Sequence, residues 1–334
     1  DLLQATPGSL MSLNSALVIL WALLLLSNGF LGYGTRRQEL NALSLGFACF
    51  GLFAVNENLV RLRLVPWTWS WEELGFMVFL SSLGYVAARR FFVNEARLLT
   101  VERELEIARE IQSSILPRSL PATDGIRLAA RYVPMASVAG DFYDVLVEDE
   151  QHLCLLVADV SGHGVGAALI ASMLKVAFAS QHHVLSDPAR VLAGINRTLS
   201  GKLDQSFVTA GCLFLDMEKR SLCYAGAGHP PLLLFRKTEG KIHELNGTGT
   251  ILGPFPQAEY TGASMDVTSG DRLILYTDGI IETKNRSGVF FEGDPFRTFI
   301  TAHADRSPEV FAEMLLTHLS QWSGKSPGES LEDD

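Results

Sequence analysis

Apolar positions follow two regimes along the chain. Up to about residue 93 they form long unbroken runs, and beyond it they alternate or recur every three or four residues. Leu10–Tyr33 carries no charge. At ~1.5 Å per helical residue it is long enough to cross a ~30 Å hydrocarbon core. A cleaved signal peptide fits less well, because the run is too long and no basic stretch precedes it. Leu40–Val60 is a second run, with Glu57 near its end, and Pro66–Ala88 is a third. The third opens with Trp67, Trp69 and Trp71, suited to a membrane interface. Arg36 and Arg37 follow the first run, Arg61 and Arg63 the second, and Arg89, Arg90 and Arg97 the third. The excess of arginine after the first and third runs places everything beyond Ala88 in the cytoplasm. Glu57 reads as a snorkelling end residue.

Asn94–Leu116 predicts a helix. Leu98, Val101, Leu105, Ala108, Ile111 and Ile115 recur at three and four, charged residues fill the remaining positions, and Pro117 and Pro121 end it. Such a helix serves either as a solvated linker or as a dimeric coiled coil. From Gly125 the pattern turns to strands. Ile126–Tyr132 alternates, and Leu153–Ala158 is a short apolar run. Phe207–Leu215 with Ser221–Ala227, and Pro231–Arg236 with Lys241–Leu245, predict hairpins, and Tyr260–Val267 and Arg272–Thr277 are further strands. Helices are expected at Val165–His182, at Pro188–Leu199 capped by Asp187, and at Pro308–Trp322 capped by Ser307. Consecutive hairpins predict an antiparallel α+β domain with helices packed outside the sheets.

The composition agrees with a membrane region joined to a globular one. Of 334 residues, 48% are hydrophobic and only 19% charged. A net charge of −10 argues against a nucleic-acid binder. Cys49, Cys154, Cys212 and Cys223 form no CxxC pair, which argues against a disulfide scaffold and a thiolate zinc site.

The chemistry lies in the aspartates. Asp159 ends the run Leu153–Ala158, Asp278 follows Leu-Ile-Leu-Tyr-Thr, Asp141 follows Gly140, and Asp144 lies three residues on. Asp333 and Asp334 close the sequence. Carboxylates delivered by buried strands are costly unless paired or metal-bound. Several such oxygens without His or Cys companions suit Mg²⁺ or Mn²⁺. A single Asp-Gly is an ordinary turn, but the repetition favours a metal site. Gly162–Gly166 has the order strand, glycine loop, helix. It departs from a dinucleotide fingerprint in its GxGxG spacing and lacks a second parallel strand with a ribose-binding acid. Gly162 and Gly164 instead suit close backbone approach to a metal or phosphate. His163 is either a proton donor to a leaving group or a turn histidine.

Five segments occur in one order: Glu110-Ile111-Gln112…Leu116-Pro117, Ala139-Gly140-Asp141-Phe142-Tyr143-Asp144, Ala158-Asp159-Val160-Ser161-Gly162-His163-Gly164, Ala227-Gly228-His229-Pro230-Pro231 and Tyr276-Thr277-Asp278-Gly279-Ile280. Over roughly residues 105–334 the chain resembles the bacterial SpoIIE/RsbU-type branch of the PPM (protein phosphatase 2C-like) serine/threonine phosphatases. The resemblance implies an α-β-β-α sandwich of two antiparallel sheets flanked by helices. It implies two Mn²⁺ or Mg²⁺ ions, with Asp159 bridging them and Asp141, the Val160 carbonyl, Asp278 and Asp333 as further ligands. Catalysis would rest on Asp159, Asp278 and Asp141, with His163 a weaker candidate, because it lies four residues after Asp159 rather than at the family's Asp-Gly-His position. Gly162 and Gly164 would meet the phosphate, and His229 would order its hairpin without catalysing. One more strand is expected after Asp333–Asp334, so the sequence is expected to stop short of it.

The implied substrate is a phosphoserine or phosphothreonine protein, a STAS-domain anti-sigma-factor antagonist in a partner-switching pathway. The expected organisation is a membrane region (1–93), a signalling helix (94–120) able to pair in a homodimer, and a phosphatase domain (121–334). The protein is then expected at the bacterial inner membrane with its phosphatase domain cytoplasmic and no nucleic-acid partner. The alternatives are an inactive membrane-tethered scaffold of the same fold and a nucleotide-binding oxidoreductase built on Gly162–Gly166.

Overall fold

The structure is a computed structural model that describes residues 37–66, 72–121, 123, 125–134 and 138–325. The run Leu10–Tyr33, the tryptophan cluster and Asp333–Asp334 lie outside the described residues. The chain divides into two compact units, Asp1–Glu102 and Arg103–Asp334.

The first unit contains helix α1 (Arg37–Arg61) and the first part of helix α2 (Glu72–Ile115). Both are long and apolar enough to cross a membrane. They pair antiparallel: Gly46 abuts Ser82 with no room for a Cβ, and Phe50 stacks on Phe79 at 5.7 Å. Glu39 and Arg90 close one end of the pair at 2.9 Å. Glu57 pairs with Arg61 one turn on, at 3.2 Å. The linker is not a separate helix. α2 runs unbroken from the third apolar run to Ile115, because neither Gly nor Pro interrupts 86–115.

In the second unit, a five-stranded antiparallel sheet has the order β1-β2-β3-β4-β7. Its strands are β1 (Phe142–Val147), β2 (His152–Val160), β3 (Val208–Asp216), β4 (Ser221–Ala227) and β7 (Gly262–Asp266). A three-stranded sheet, β6-β5-β8, is built from β5 (Leu232–Arg236), β6 (Lys241–Leu245) and β8 (Arg272–Ile274). Strand alternation produces three hydrophobic layers. Phe142, Leu156, Ala158 and Ala210 face helices α3 (Val165–Ala179) and α4 (Pro188–Leu199). Leu153, Leu213 and Tyr224 face Leu232, Leu234 and Leu245 across the two sheets. Leu233, Phe235 and Ile274 face α6 (Asp294–Ala302) and α7 (Pro308–Ser323). These layers make an α-β-β-α sandwich.

The caps are as the sequence predicts. Asp187 accepts the Arg190 N–H at α4, and Ser307 accepts the Val310 N–H at α7. Among the described residues the alternating segment Ile126–Tyr132 joins no ladder, and Ile126 makes a bridge with Thr123. Ile126 and Leu128 still pack on the inter-sheet core, so the alternation reports burial, not pairing. Both predicted hairpins form in register. The turns β1–β2, β3–β4, β5–β6 and β7–β8 all lie at one end of the sandwich, opposite the end where β2 delivers Asp159 and β8 leads to Asp278. Cys154 and Cys212 are buried free thiols 3.5 Å apart in the helix-facing layer.

Candidate metal-dependent active site

The register of β1 on β2 pairs Phe142 with Ala158. Carried one residue on, it sets Asp141 across from Asp159. Directly opposed residues share a face of the sheet, here the inter-sheet face, and like charges so placed repel. Two facing carboxylates therefore call for a cation. One residue further, Gly140 meets Val160. A Cβ on Gly140 would lie 2.6 Å from the Val160 carbonyl oxygen and 3.4 Å from that of Gly162. Only glycine lets the chain pass so close.

The second sheet reaches the same place through β8. Leu273 and Leu275 face the inter-sheet core, so Thr277 does too. Its hydroxyl donates to Asp141 Oδ2 at 2.7 Å. Asp278 follows as the first residue of the short helix α5 (Asp278–Ile281). Asp141, Asp159 and Asp278 are thus carried to one end of the sandwich from both sheets, with the Val160 carbonyl beside them. Among the described residues no three His, Cys, Asp or Glu side chains close into a ready-made cage, and Asp333 lies outside them. The donors are all oxygen, which fits hard cations such as Mg²⁺ and Mn²⁺. Gly162 and Gly164 take φ of +90° and +79°, with open space where a Cβ would be, and lead into α3, Gly162 exposed and Gly164 half-buried. His163 between them is exposed.

Asp144 belongs elsewhere. Three residues from Asp141, it points to the opposite face of β1 and binds Lys175 Nζ of α3 at 2.8 Å. It is a buried anchor for that helix. Gln112 has a role the sequence did not reveal. Its side-chain amide donates to the Ala139 carbonyl at 2.5 Å and accepts the Ala139 N–H at 3.0 Å. Both residues are buried, so the end of α2 is pinned to the backbone just before Gly140-Asp141. Gln112→Ala leaves two buried backbone groups unpaired and is expected to destabilise the domain by about 1–3 kcal/mol. Gln112→Glu can still accept the Ala139 N–H but sets a buried carboxylate oxygen against the Ala139 carbonyl, so its melting temperature should also fall below that of wild type.

His229 does not order a hairpin. It lies in the crossover from β4 to β5, between the two sheets. Burial pulls its pKa down to about 4, so it is neutral at pH 7. Burial also pushes Tyr276 up to about 12. Among the described residues the glycine loop is followed by no parallel strand, and every ladder in the two sheets is antiparallel. The fold therefore removes the dinucleotide-binding reading.

A family profile described as Stage II sporulation protein E (SpoIIE) matches residues 149–334, more than half of the chain. The chain belongs to the SpoIIE family. Within and around that family, it is 30% identical to phosphoserine phosphatase RsbU of Bacillus subtilis (strain 168) over 220 residues, 66% of this chain and 65% of RsbU. It is 31% identical to phosphoserine phosphatase RsbP of the same organism over 226 residues, 66% of this chain but 54% of RsbP. The chain thus spans less than two thirds of the length of each relative. Among solved structures it resembles the SiaA-PP2C domain of Pseudomonas aeruginosa, with a TM-score of 0.62 and 27% identity, covering 71% of this chain and 96% of that one. The SpoIIE-family sandwich seen here is a PP2C-type fold, preceded by two long apolar helices.

Proposed function

We propose that the chain is a membrane-tethered, metal-dependent protein serine/threonine phosphatase. The observation that carries this reading is the opposition of Asp141 and Asp159 at the end of β1 and β2, with Thr277-Asp278 brought to them from the other sheet. Asp159, Asp141, the Val160 carbonyl, Asp278 and Asp333 are the groups that would hold two divalent cations. When bound, such a pair acidifies water and neutralises charge on the phosphoryl oxygens. The protein's own contribution is placement. Gly140 permits the close strand approach, Thr277 orients Asp141, and the loop Gly162–Gly164 leaves the phosphoryl group a path in. His163 is placed in that loop and is the candidate proton donor to the departing serine or threonine oxygen.

RsbU and RsbP are named phosphoserine phosphatases, which supports a phosphoprotein substrate here. By that likeness the substrate would be a phosphorylated STAS-domain protein in a partner-switching pathway. The two apolar helices support an inner-membrane location with the catalytic unit cytoplasmic. The exposed Leu98, Val101 and Ile111 of the periodic stripe on α2 support pairing of two copies through that helix. The test is phosphate release by the detergent-solubilised chain from a phosphoserine STAS protein of the same genome, with and without Mn²⁺. Release that needs Mn²⁺ is expected. A folded chain that binds no Mn²⁺ would instead be a scaffold of the same fold.

A further inference from the structure

His229 stands where the two sheets meet, close to both ligand-bearing strand ends. Its Nδ1 is 3.0 Å from the Thr209 hydroxyl. Thr209 in β3 pairs with Asp159 in β2. The ring lies against Gly211, where an added Cβ would fall 2.9 Å from His229 Cδ2. On its other side the ring faces the Tyr276 backbone of the second sheet, two residues before Asp278. Nε2 is shut off from water and makes no hydrogen bond of good geometry among the described residues. The flanking sequence restricts this histidine. Gly228 takes a φ of +66°, and Pro230-Pro231 fixes the backbone on the other side.

We propose that His229 is a positioning residue that couples the two carboxylate-bearing strand ends, by holding Thr209 of one sheet against the Tyr276 backbone of the other. The ring acts as a spacer, and its position sets how far Asp159 stands from Asp278. A neutral imidazole suits this role, since it brings no charge toward the cation side of the site. The inference rests on the metal-dependent phosphatase reading and adds a residue outside the ligand set. It differs from a hinge or a proton relay, because the role assigned to His229 is to hold Thr209 and the Tyr276 backbone apart, without moving and without passing a proton.

The experiment compares wild type, H229A, H229N, T209V and H229A/T209V as full chains in detergent. Mn²⁺ affinity is read by titration calorimetry, and stability by thermal unfolding without metal. Supporting groups around metal ligands contribute about 10- to 100-fold to affinity, and H229A and T209V are each expected to lose affinity in that range. The double variant should lose no more than the weaker-binding single one, because both changes cut the same link. H229N keeps a side-chain group able to meet the Thr209 hydroxyl and should recover part of the loss. Wild-type Mn²⁺ affinity in H229A, or losses that multiply in the double variant, would overturn the inference. Should H229A fail to fold, T209V decides: a loss of Mn²⁺ affinity with an unchanged metal-free melt supports the link, and unchanged affinity refutes it. A wild-type chain that binds no Mn²⁺ refutes the phosphatase reading itself.

Discussion

Asp159→Asn is expected to cut metal-dependent phosphate release by ~100-fold or more while leaving the metal-free domain at least as stable as wild type. The first half follows from the proposed site, since removing a carboxylate that would hold the cations would cost both cation affinity and charge stabilisation of the reacting phosphoryl group. The second half follows from the register of β1 on β2. Asp141 and Asp159 come opposite one another when that register is carried one residue on, and like charges so placed raise each other's energy. An amide removes that repulsion, a gain of up to about 1 kcal/mol. For a unit of this size that amounts to ~2–4 °C in melting temperature. The measurement is a pair of assays on one variant, phosphate release with Mn²⁺ and thermal unfolding in chelator. A variant that loses activity because it unfolds would move both readouts down. Retained activity would remove Asp159 from the site altogether.

Gly140→Ala is expected to damage fold and site together. The new Cβ would stand 2.6 Å from the Val160 carbonyl oxygen, a backbone atom that cannot swing aside as a side chain does. Forcing β1 away from β2 at this point should cost about 1–3 kcal/mol. The same shift moves Asp141 off Asp159 and turns the Val160 carbonyl, so activity should fall further than the stability loss explains. Gly166→Ala is the matched control. A Cβ there meets nothing within 4 Å, and the position lies in the first turn of α3. Alanine should be neutral or stabilising there, by up to ~1 kcal/mol. Thermal unfolding of the two variants side by side checks the contrast, and equal behaviour would show that the strands have more slack than the structure indicates.

Local signals carried most of the secondary structure. The hairpins β3–β4 and β5–β6 and the capped helices α4 and α7 follow from alternation, turn residues and cap residues within a few positions of one another. What escaped needed partners distant in sequence. β1 was hidden because Asp144 stands on its core-facing side, where a charge argues against a strand. Lys175, 31 residues away, pairs with it. Helix α6 is nine residues long, too short for its three buried positions, Phe296, Phe299 and Ile300, to establish a period. Ile126–Tyr132 failed in the opposite direction, since its alternation reflects one side against the core and it lies outside the ladders of both sheets.

The candidate site shows the same division. That Asp141, Asp159 and Asp278 end or begin apolar segments was legible in the sequence. That Asp141 faces Asp159 depends on the β1–β2 register, and that Asp278 joins them depends on the stacking of two sheets. Gln112 was visible only as part of a motif. Its bond to Ala139 depends on the end of α2 packing against that loop, 27 residues on.

The distribution of turns makes the catalytic unit polar in a further sense. All the tight hairpin turns lie at the end away from the aspartates, and Glu148–Gln151, Glu218–Arg220 and Lys237–Gly240 are exposed there. Loop tips of this kind accept changes in length that strand interiors do not. One end of the sandwich therefore gathers the candidate site, and the other is free to diverge. A fluorophore, an affinity tag or a whole inserted domain has a natural place of attachment at that far end, well removed from the candidate site.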